Sequence, residues 1–380
     1  MKIVIAPDSF KESLTAKEVA HAIEKGWKHV FPDAEYVQVP MADGGEGTVQ
    51  SLVDATNGYI VKEFVTGPLG NKVEGYFGIV GDGKTAVIEM AAASGIHYVP
   101  VAKRNPLVTT TRGTGELISR ALDEGVERII LGLGGSATND GGAGMAQALG
   151  AKLLNRVGEE LPVGGGALAQ LAKIDVGEMD ERLQNVSFIV ACDVDNPLTG
   201  NRGASAIFGP QKGATSEMVA ALDSNLAHYA HVIREDLGKN VEVVPGAGAA
   251  GGLGAGVLAF LNAELKSGVD IVIEATNLKE KVKGADYVIT GEGRIDGQTI
   301  YGKTPIGVAK TAKLYDIPVI GLAGCLREDC AVVYEHGIDI VFPIVPAAIT
   351  LEEALRQGEQ NLERTARNVA QIIKMSSRGK

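Results

Sequence analysis

The chain has 380 residues, 45% of them hydrophobic, enough for two or three domains and a sizeable buried core. Its net charge is -11 and its Lys and Arg residues are scattered rather than clustered, which argues against nucleic acid or an anionic membrane surface as partner. The three cysteines, Cys192, Cys325 and Cys330, have neither disulfide-framework nor zinc-site spacing, which suits a reducing cytoplasm.

Met1 and Lys2 lead straight into the apolar run KIVIA, which reads as a strand and not as a signal peptide. After the loop PDSFKES, Thr15 and Glu18 form a capping box, and Val19, Ile23 and Trp27 follow at helical spacing. EYVQVP is a second strand; the loop MADGGEGT and a helix from Val49 to Ala55 follow it. From Tyr59 to Met90, short alternating runs separated by the turns GPLGN and GDGK predict an antiparallel meander. Helix and strand then resume with TGELISRALDEG, RIILGLG, SFIVACDVD and a helix around Glu217–Asp236. Pro245 to Asn262 is uncharged, but six glycines interrupt it and make it a poor membrane span.

Toward the C-terminus, DYVIT is a strand ending at Thr290, because the polar GEGRID beyond it does not suit a buried strand. GVAKTAKLY, IPVIGLAG, AVVYEH and IDIVFPI continue as helix, strand, helix, strand. Thr350 and Glu353 cap one long helix whose apolar face is Leu351, Ala354, Leu355, Leu362, Val369 and Ile373. Both chain ends thus alternate strand and helix. The pattern predicts an α/β fold of two α/β domains. One is a Rossmann/flavodoxin-like parallel sheet built from both chain ends, residues 1–60 plus 284–380. The other, residues 61–283, is inserted and contains the antiparallel β-meander.

Several glycine-punctuated stretches carry chemistry. GQTIYGKT, Gly297 to Thr304, fits the phosphate-loop pattern G-x-x-x-x-G-K-[ST], but a strand ending at Thr290 stops too early for such a loop. GLGGSATNDGGAG, Gly132 to Gly144, lies between a strand and a helix and also fits G-x-G-x-x-[GA]. The acidic residue of a dinucleotide site is missing after AKLLN, where Asn155 and Arg156 stand; Arg156 keeps an NADP reading open. Phosphate binding is the preferred reading over a plain tight turn. Backbone N–H groups of Gly134 and Gly135 and the side chains of Ser136, Thr138 and Asn139 would be the donors, and Asp140 could hold a metal.

CDVDNPLTG places Asp193 and Asp195 at a strand end, suited to Mg²⁺ and a general base, or equally to capping a turn at Asn196-Pro197. Lys11 in APDSFKESLTA sits between strand and helix where it can meet an anion; Asp43 and Glu46 occupy the same layout in ADGGEGT. GAGAAGGLGAG, Gly246 to Gly256, allows close backbone approach, with packing preferred over ligand contact. The six histidines form no metal set, and no serine-triad arrangement occurs.

Taken in order, APDSFKESLTA, ADGGEGT, GLGGSATNDGGAG, CDVDNPLTG, GAGAAGGLGAG and TGEGRIDGQTIYGKTP resemble the bacterial glycerate kinase family of the first type, the glycerate 2-kinase-like group, over essentially the whole chain. The resemblance implies a cytoplasmic ATP- and Mg²⁺-dependent enzyme phosphorylating D-glycerate, the 2-phosphate product being preferred over the 3-phosphate. It also implies two α/β domains with the active site between them and no Walker-type loop; a monomer or homodimer is expected.

On that reading Asp193 is the base and Asp195 the Mg²⁺ ligand, roles open to exchange. Lys11 and Arg294 grip glycerate carboxylate or the transferred phosphate. Asp296 and Asp43 bind Mg²⁺ or orient those cations, while Gly134, Gly135, Ser136, Thr138 and Asn139 touch ATP phosphates. Two rivals are an NADP-dependent dehydrogenase of a small hydroxy acid and a non-catalytic sugar-acid-binding protein.

Overall fold

A computed structural model describes residues 1–377. Its strands are β1 (Lys2–Ile5), β2 (Glu35–Gln38), β3 (Tyr59–Thr66), β4 (Lys72–Ile79), β5 (Thr85–Glu89), β6 (Arg128–Gly132), β7 (Lys152–Leu154), β8 (Lys173–Asp175), β9 (Ser187–Ala191), β10 (Glu264–Lys266), β11 (Tyr287–Ile295), β12 (Val319–Leu326) and β13 (Ile340–Pro343). The chain divides into two compact units. One comprises Met1–Asp43, Gln50–Asn57 and Ser267–Lys380, the other Gly44–Val49 and Gly58–Lys266.

The first unit holds a five-stranded sheet in the order β13-β12-β11-β1-β2, parallel throughout. Its central strands are short apolar runs: Ile3, Val4, Ile5, Val288 and Ile289 have no solvent exposure, as a sheet covered on both faces requires. The helix Ala16–Lys28 starts at the Thr15–Glu18 capping box and lays Val19, Ile23 and Trp27 on the sheet. Beside it runs the helix Gly358–Ser377, with Leu362, Ala366 and Val369 buried in the same cluster. The two helices touch at Gly26, where a Cβ would collide with the Glu363 carbonyl. The Thr350–Glu353 capping box also forms, but the helix it opens ends at Arg356. Leu351, expected on the apolar face, is therefore left 72% exposed.

The second unit holds a six-stranded sheet, β10-β9-β6-β5-β4-β3, and a separate β7-β8 pair. The meander is antiparallel as its alternation predicts, with β3 and β4 paired from Tyr59↔Ile79 to Thr66↔Lys72; the remaining strands of the large sheet are parallel. The helix Ser216–Leu237 is capped by Thr215 and stopped by Gly238 in a left-handed conformation. GAGAAGGLGAG forms a kinked helix, Ala249–Phe260, pressed on the turn after β6. A Cβ on Gly251 would strike the Thr138 carbonyl and one on Gly256 the Gly141 carbonyl, so these glycines serve close packing.

One strand runs further than its polarity predicts. β11 continues through Gly291-Glu292-Gly293-Arg294 to Ile295, paired with β12 as far as Ile295↔Leu326. The β1 ladder stops at Ile5↔Ile289 and that of β13 at Ala323↔Pro343. Beyond those points β11 and β12 project as a two-stranded ribbon. Bare glycines allow it: a Cβ on Gly291 would meet the Leu322 carbonyl, and one on Gly324 the Gly293 carbonyl. Alternation keeps Ile295 fully buried while Glu292, Arg294 and Asp296 share the other face. The polar residues thus occupy a site-forming face and never enter the core.

Candidate active site

In the first unit the chain runs from β1 to β2 on one side and from β11 through β12 to β13 on the other. The order therefore reverses between β1 and β11, and open parallel sheets bind ligands outside the carboxyl ends of strands at such a point. Asp8, just past β1, donates its amide to the Gly291 carbonyl of β11 at 2.9 Å. Glu292 follows on β11.

Three carboxylates gather here with two cations and two hydroxyls. Thr304 Oγ1 donates to Asp8 Oδ2 at 2.6 Å, the Ser9 amide donates to Asp8 Oδ1 at 2.6 Å, and Thr299 Oγ1 donates to Glu292 Oε1 at 2.8 Å. Lys303 Nζ stands 3.6 Å from Glu292 Oε2 and 4.0 Å from Asp296 Oδ1, and Arg294 Nε pairs with Asp296 Oδ2 at 2.9 Å. Burial, and then the neighbouring Asp43, push Asp8 up to about 6 against the pull of Thr304, Ser9 and Lys11. Burial likewise pushes Glu292 up to about 7; Lys303 and Thr299 oppose it, and Asp8 and Asp296 reinforce it. Carboxylates displaced toward neutrality at a strand-end site are typical of groups that exchange protons.

An open cleft of about 510 Å³ lies on the same ribbon, lined by Arg294, Asp296, Gln298, Arg327, Glu328 and Asp329. Arg327 extends the β12 side, its amide donating to the Ile295 carbonyl at 3.1 Å. The unit thus brings together Lys11, Asp43, Arg294 and Asp296, all singled out from sequence. It adds Asp8, Glu292, Lys303 and Thr304, which were not. The signal for Asp8 was its place directly after the first parallel strand; Glu292 was masked by the expected stop at Thr290.

GQTIYGKT now has a strand close before it and a helix, Thr304–Lys313, directly after it. The context argument against a phosphate loop therefore fails, but a stronger one replaces it. Three of the loop's amides are spent internally: Gln298 donates to Asp296 Oδ1, Thr299 to the Asp296 carbonyl and Tyr301 to the Gln298 carbonyl. Lys303 and Thr304 face carboxylates. The lysine and hydroxyl that a phosphate loop would offer its ligand are thus engaged by Glu292, Asp296 and Asp8.

The turn after β6, in the second unit, is different. Gly135 is left-handed at φ +73°, and Gly134 and Gly135 are exposed. Among the described residues the amides of Gly134, Gly135 and Ser136 donate to no protein acceptor, which leaves three consecutive donors at the turn. Ser136 is 7% exposed, while Thr138 and Asn139 are fully buried; Asn139 Nδ2 donates to Ser205 Oγ at 2.9 Å. Asp140, weighed as a metal ligand, is turned fully inward. Its carboxylate accepts from the Thr111 amide and hydroxyl and from the amides of Gly142 and Gly144, so it holds the helix start itself. Sequence reasoning also missed Lys212, a buried lysine whose Nζ donates to Ser136 Oγ at 2.7 Å.

The dinucleotide reading loses its framework. The strand that follows the turn, β7, pairs antiparallel with β8 rather than parallel with β6, and the parallel neighbour of β6 is β9, reached only after the β7-β8 pair, so the compact βαβ unit of a dinucleotide site is not formed.

Asp193 and Asp195 extend past β9 and both are exposed. Asp195 pairs with Arg202, Nη2 donating to both carboxylate oxygens at 2.8 and 2.9 Å. For Mg²⁺ the donor chemistry is right, since carboxylate oxygens line both regions. Among the described residues no three His, Cys, Asp or Glu side chains stand close enough to cage a metal. The residues fit the mode usual for Mg²⁺ in phosphoryl transfer, with one or two carboxylates and the rest phosphate oxygens and water. His228 bonds the Leu171 carbonyl and His231 the Arg234 guanidinium, both structural contacts. Among the described residues no helix is long and apolar enough to cross a membrane.

Comparison with known proteins places these loops in a lineage. A sequence model of the Glycerate kinase family matches residues 3–374. The chain is 63% identical to a glycerate kinase of Bacillus subtilis (strain 168) over 376 residues, covering 99% of this chain and 98% of that protein. It is 59% identical to a glycerate 2-kinase of Escherichia coli (strain K12) over 378 residues, covering 100% and 99%. A crystal structure described as a glycerate kinase 2 from Salmonella typhimurium LT2 superposes with a TM-score of 0.92 at 55% identity, covering 99% of each chain. With its motifs, both sheets and nearly its full length matched, the chain belongs to the glycerate kinase family.

Proposed function

We propose that the chain transfers the γ-phosphoryl group of ATP to a hydroxyl of D-glycerate, the 2-hydroxyl being preferred. The observation that carries this is the cluster of Asp8, Glu292, Arg294, Asp296 and Lys303 at the reversal point of a parallel sheet, in a chain of this family. The acceptor oxygen attacks the γ-phosphorus, the bond to the bridging oxygen breaks, and ADP leaves with that electron pair. The hydroxyl proton passes to a carboxylate. Such a transfer needs alignment and charge neutralisation more than covalent help.

Arg294 and Lys11 supply cations for the glycerate carboxylate or the moving phosphate, and the cleft beside Arg294 is ample for a three-carbon acid. Asp43 and Asp296 orient those cations. Gly134, Gly135 and Ser136 receive ATP phosphates, with Thr138 and Asn139 shaping the turn behind them. Asp195 and Asp296 would hold Mg²⁺, which when bound offsets charge on the phosphates. Asp193 is the proposed base, favoured by its open place after β9. Glu292 is the second candidate, favoured by a proton affinity near neutrality. The three free thiols suit a reducing cytoplasm.

The test is ADP release with ATP, Mg²⁺ and D-glycerate, followed by phosphorus NMR of the product. A 2-phosphoglycerate signal that appears only with all three components supports the proposal. Glycerate binding without ADP release would reduce the protein to a sugar-acid binder.

A further inference from the structure

Lys212 is 2% exposed and forms no ion pair among the described residues, an uncommon state for a lysine. It stands at the end of the turn Pro210–Lys212, which is held from outside: Arg104 Nη1 donates to the Gln211 carbonyl at 3.1 Å, and Gly213 adopts φ +90° against Arg104. Its Nζ donates to Ser136 Oγ and to the Thr138 carbonyl, both at 2.7 Å. An ammonium has three N–H bonds and no lone pair. The third N–H has no partner among the described residues, and in the same turn Thr138 Oγ1 and Asn139 Oδ1 are also buried without one. Buried polar groups are rarely left in that state.

The donor direction has a consequence for Ser136. Because an ammonium can only donate, Ser136 Oγ accepts from Lys212, and its own O–H must aim elsewhere. That O–H has no acceptor among the described residues, and it lies beside the unbonded amides of Gly134, Gly135 and Ser136. Accepting from a cation also strengthens a hydroxyl as a donor.

We infer that Lys212 is the positioning residue of the nucleotide turn: by fixing Ser136 Oγ and the Thr138 carbonyl it aims the Ser136 O–H and the neighbouring amides at the phosphates of a nucleoside triphosphate. The inference rests on the reading that this turn receives ATP. Lys212 acts through Ser136 and does not itself touch the reacting atoms. Burial brings its proton affinity down to about 7, opposed by Asp140 in the same turn. From the helix Ser216–Leu237, Tyr229 stays neutral, its phenol pushed far up by burial and Asp140. Arg104 is committed to the Gln211 carbonyl. Once Lys212 loses its proton, its lone pair can take the Ser136 hydrogen and turn that donor inward. Nucleotide affinity should therefore fall as pH rises through about 7.

Calorimetric titration of the full chain with ATP, between about pH 6 and 9, tests this for wild type, Lys212→Met and Ser136→Ala. Methionine fills the volume without the charge. Lys212→Met should weaken ATP binding by about ten- to a hundred-fold at the acid end and flatten its pH dependence, with the KM for D-glycerate unchanged. The double variant should bind no more weakly than Lys212→Met alone. A merely structural lysine would shift Tm and leave the pH dependence of binding in place. A folded Lys212→Met with wild-type ATP affinity and pH dependence overturns the inference while leaving the kinase reading standing. Should Lys212→Met not fold, Ser136→Ala decides: wild-type affinity with the pH dependence retained overturns it too. If the wild-type chain binds no ATP, the kinase reading itself falls.

Discussion

Thr304 Oγ1 donates to Asp8 Oδ2 at 2.6 Å, joining the start of a late helix to the end of the first strand across 296 positions of sequence. The bond steadies a carboxylate that burial and Asp43 would otherwise protonate more readily. Thr304→Val should raise the proton affinity of Asp8 further. The acid limb of the kcat/KM profile should then move to higher pH, with turnover down about ten-fold. An unmoved acid limb would separate Asp8 from the catalytic step.

Asp8 and Glu292 also set a stability trade. Folding raises both, from 3.8 to about 6 and from 4.5 to about 7, so the folded chain holds more protons than the unfolded one across that range. Their contribution to stability therefore declines as pH climbs through that window, and the cost is complete above about 7. Asp8→Asn and Glu292→Gln should gain stability over wild type with rising pH, on the order of 1–3 kcal/mol each at the plateau. Denaturant melts at several pH values measure this difference. Turnover of both variants should drop at least about a hundred-fold, the usual exchange at a functional site.

Asp193→Asn tests the proposed base. The residue lies exposed beyond β9, so the fold should survive unchanged. Turnover should fall by about two to four orders of magnitude if Asp193 accepts the hydroxyl proton. Wild-type turnover in Asp193→Asn would remove Asp193 as the base and leave Glu292 as the candidate.

Arg294→Ala should raise the KM for D-glycerate about ten- to a hundred-fold and leave that for ATP nearly untouched. Arg294→Lys should recover only part of the loss, because an ammonium cannot grip a carboxylate with two parallel bonds. Equal effects on both substrates would point to a collapse of the Arg294–Asp296 pair instead.

Gly26→Ala addresses packing alone. Alanine favours a helix over glycine by up to about 1 kcal/mol. Here its methyl would strike the Glu363 carbonyl on the neighbouring helix. The variant should lose about 1–3 kcal/mol in a denaturant melt, with KM values unchanged.

Much of this was legible in the residues. The Thr15–Glu18 and Thr350–Glu353 boxes form as their spacing predicts, and the alternation from Tyr59 to Met90 folds as the antiparallel meander. These signals are local, set by side chains a few positions apart. What escaped depended on distant partners. β11 outruns its apolar run because Gly324, from β12, lets the strands close up around a polar stretch. Leu351 fails to pack because the helix breaks after Arg356. Lys212 was invisible as a functional residue, since nothing next to it in sequence reveals Ser136 as its partner. Asp140 looked available because its four donors come from Thr111, Gly142 and Gly144, which only the fold assembles.

The placement of β1 between β2 and β11 also bears on how the protein is made. A ribosome releases Lys2 long before Asp286, the residue 284 positions later whose carboxylate accepts from the Lys2 amide. Until then one edge of β1 has no neighbour and its isoleucines have only part of their cover. The inserted unit has every strand it needs by Lys266 and can close while synthesis continues. The order of folding thus departs from the numbering: the middle segment can mature first, and β1 meets β11 last.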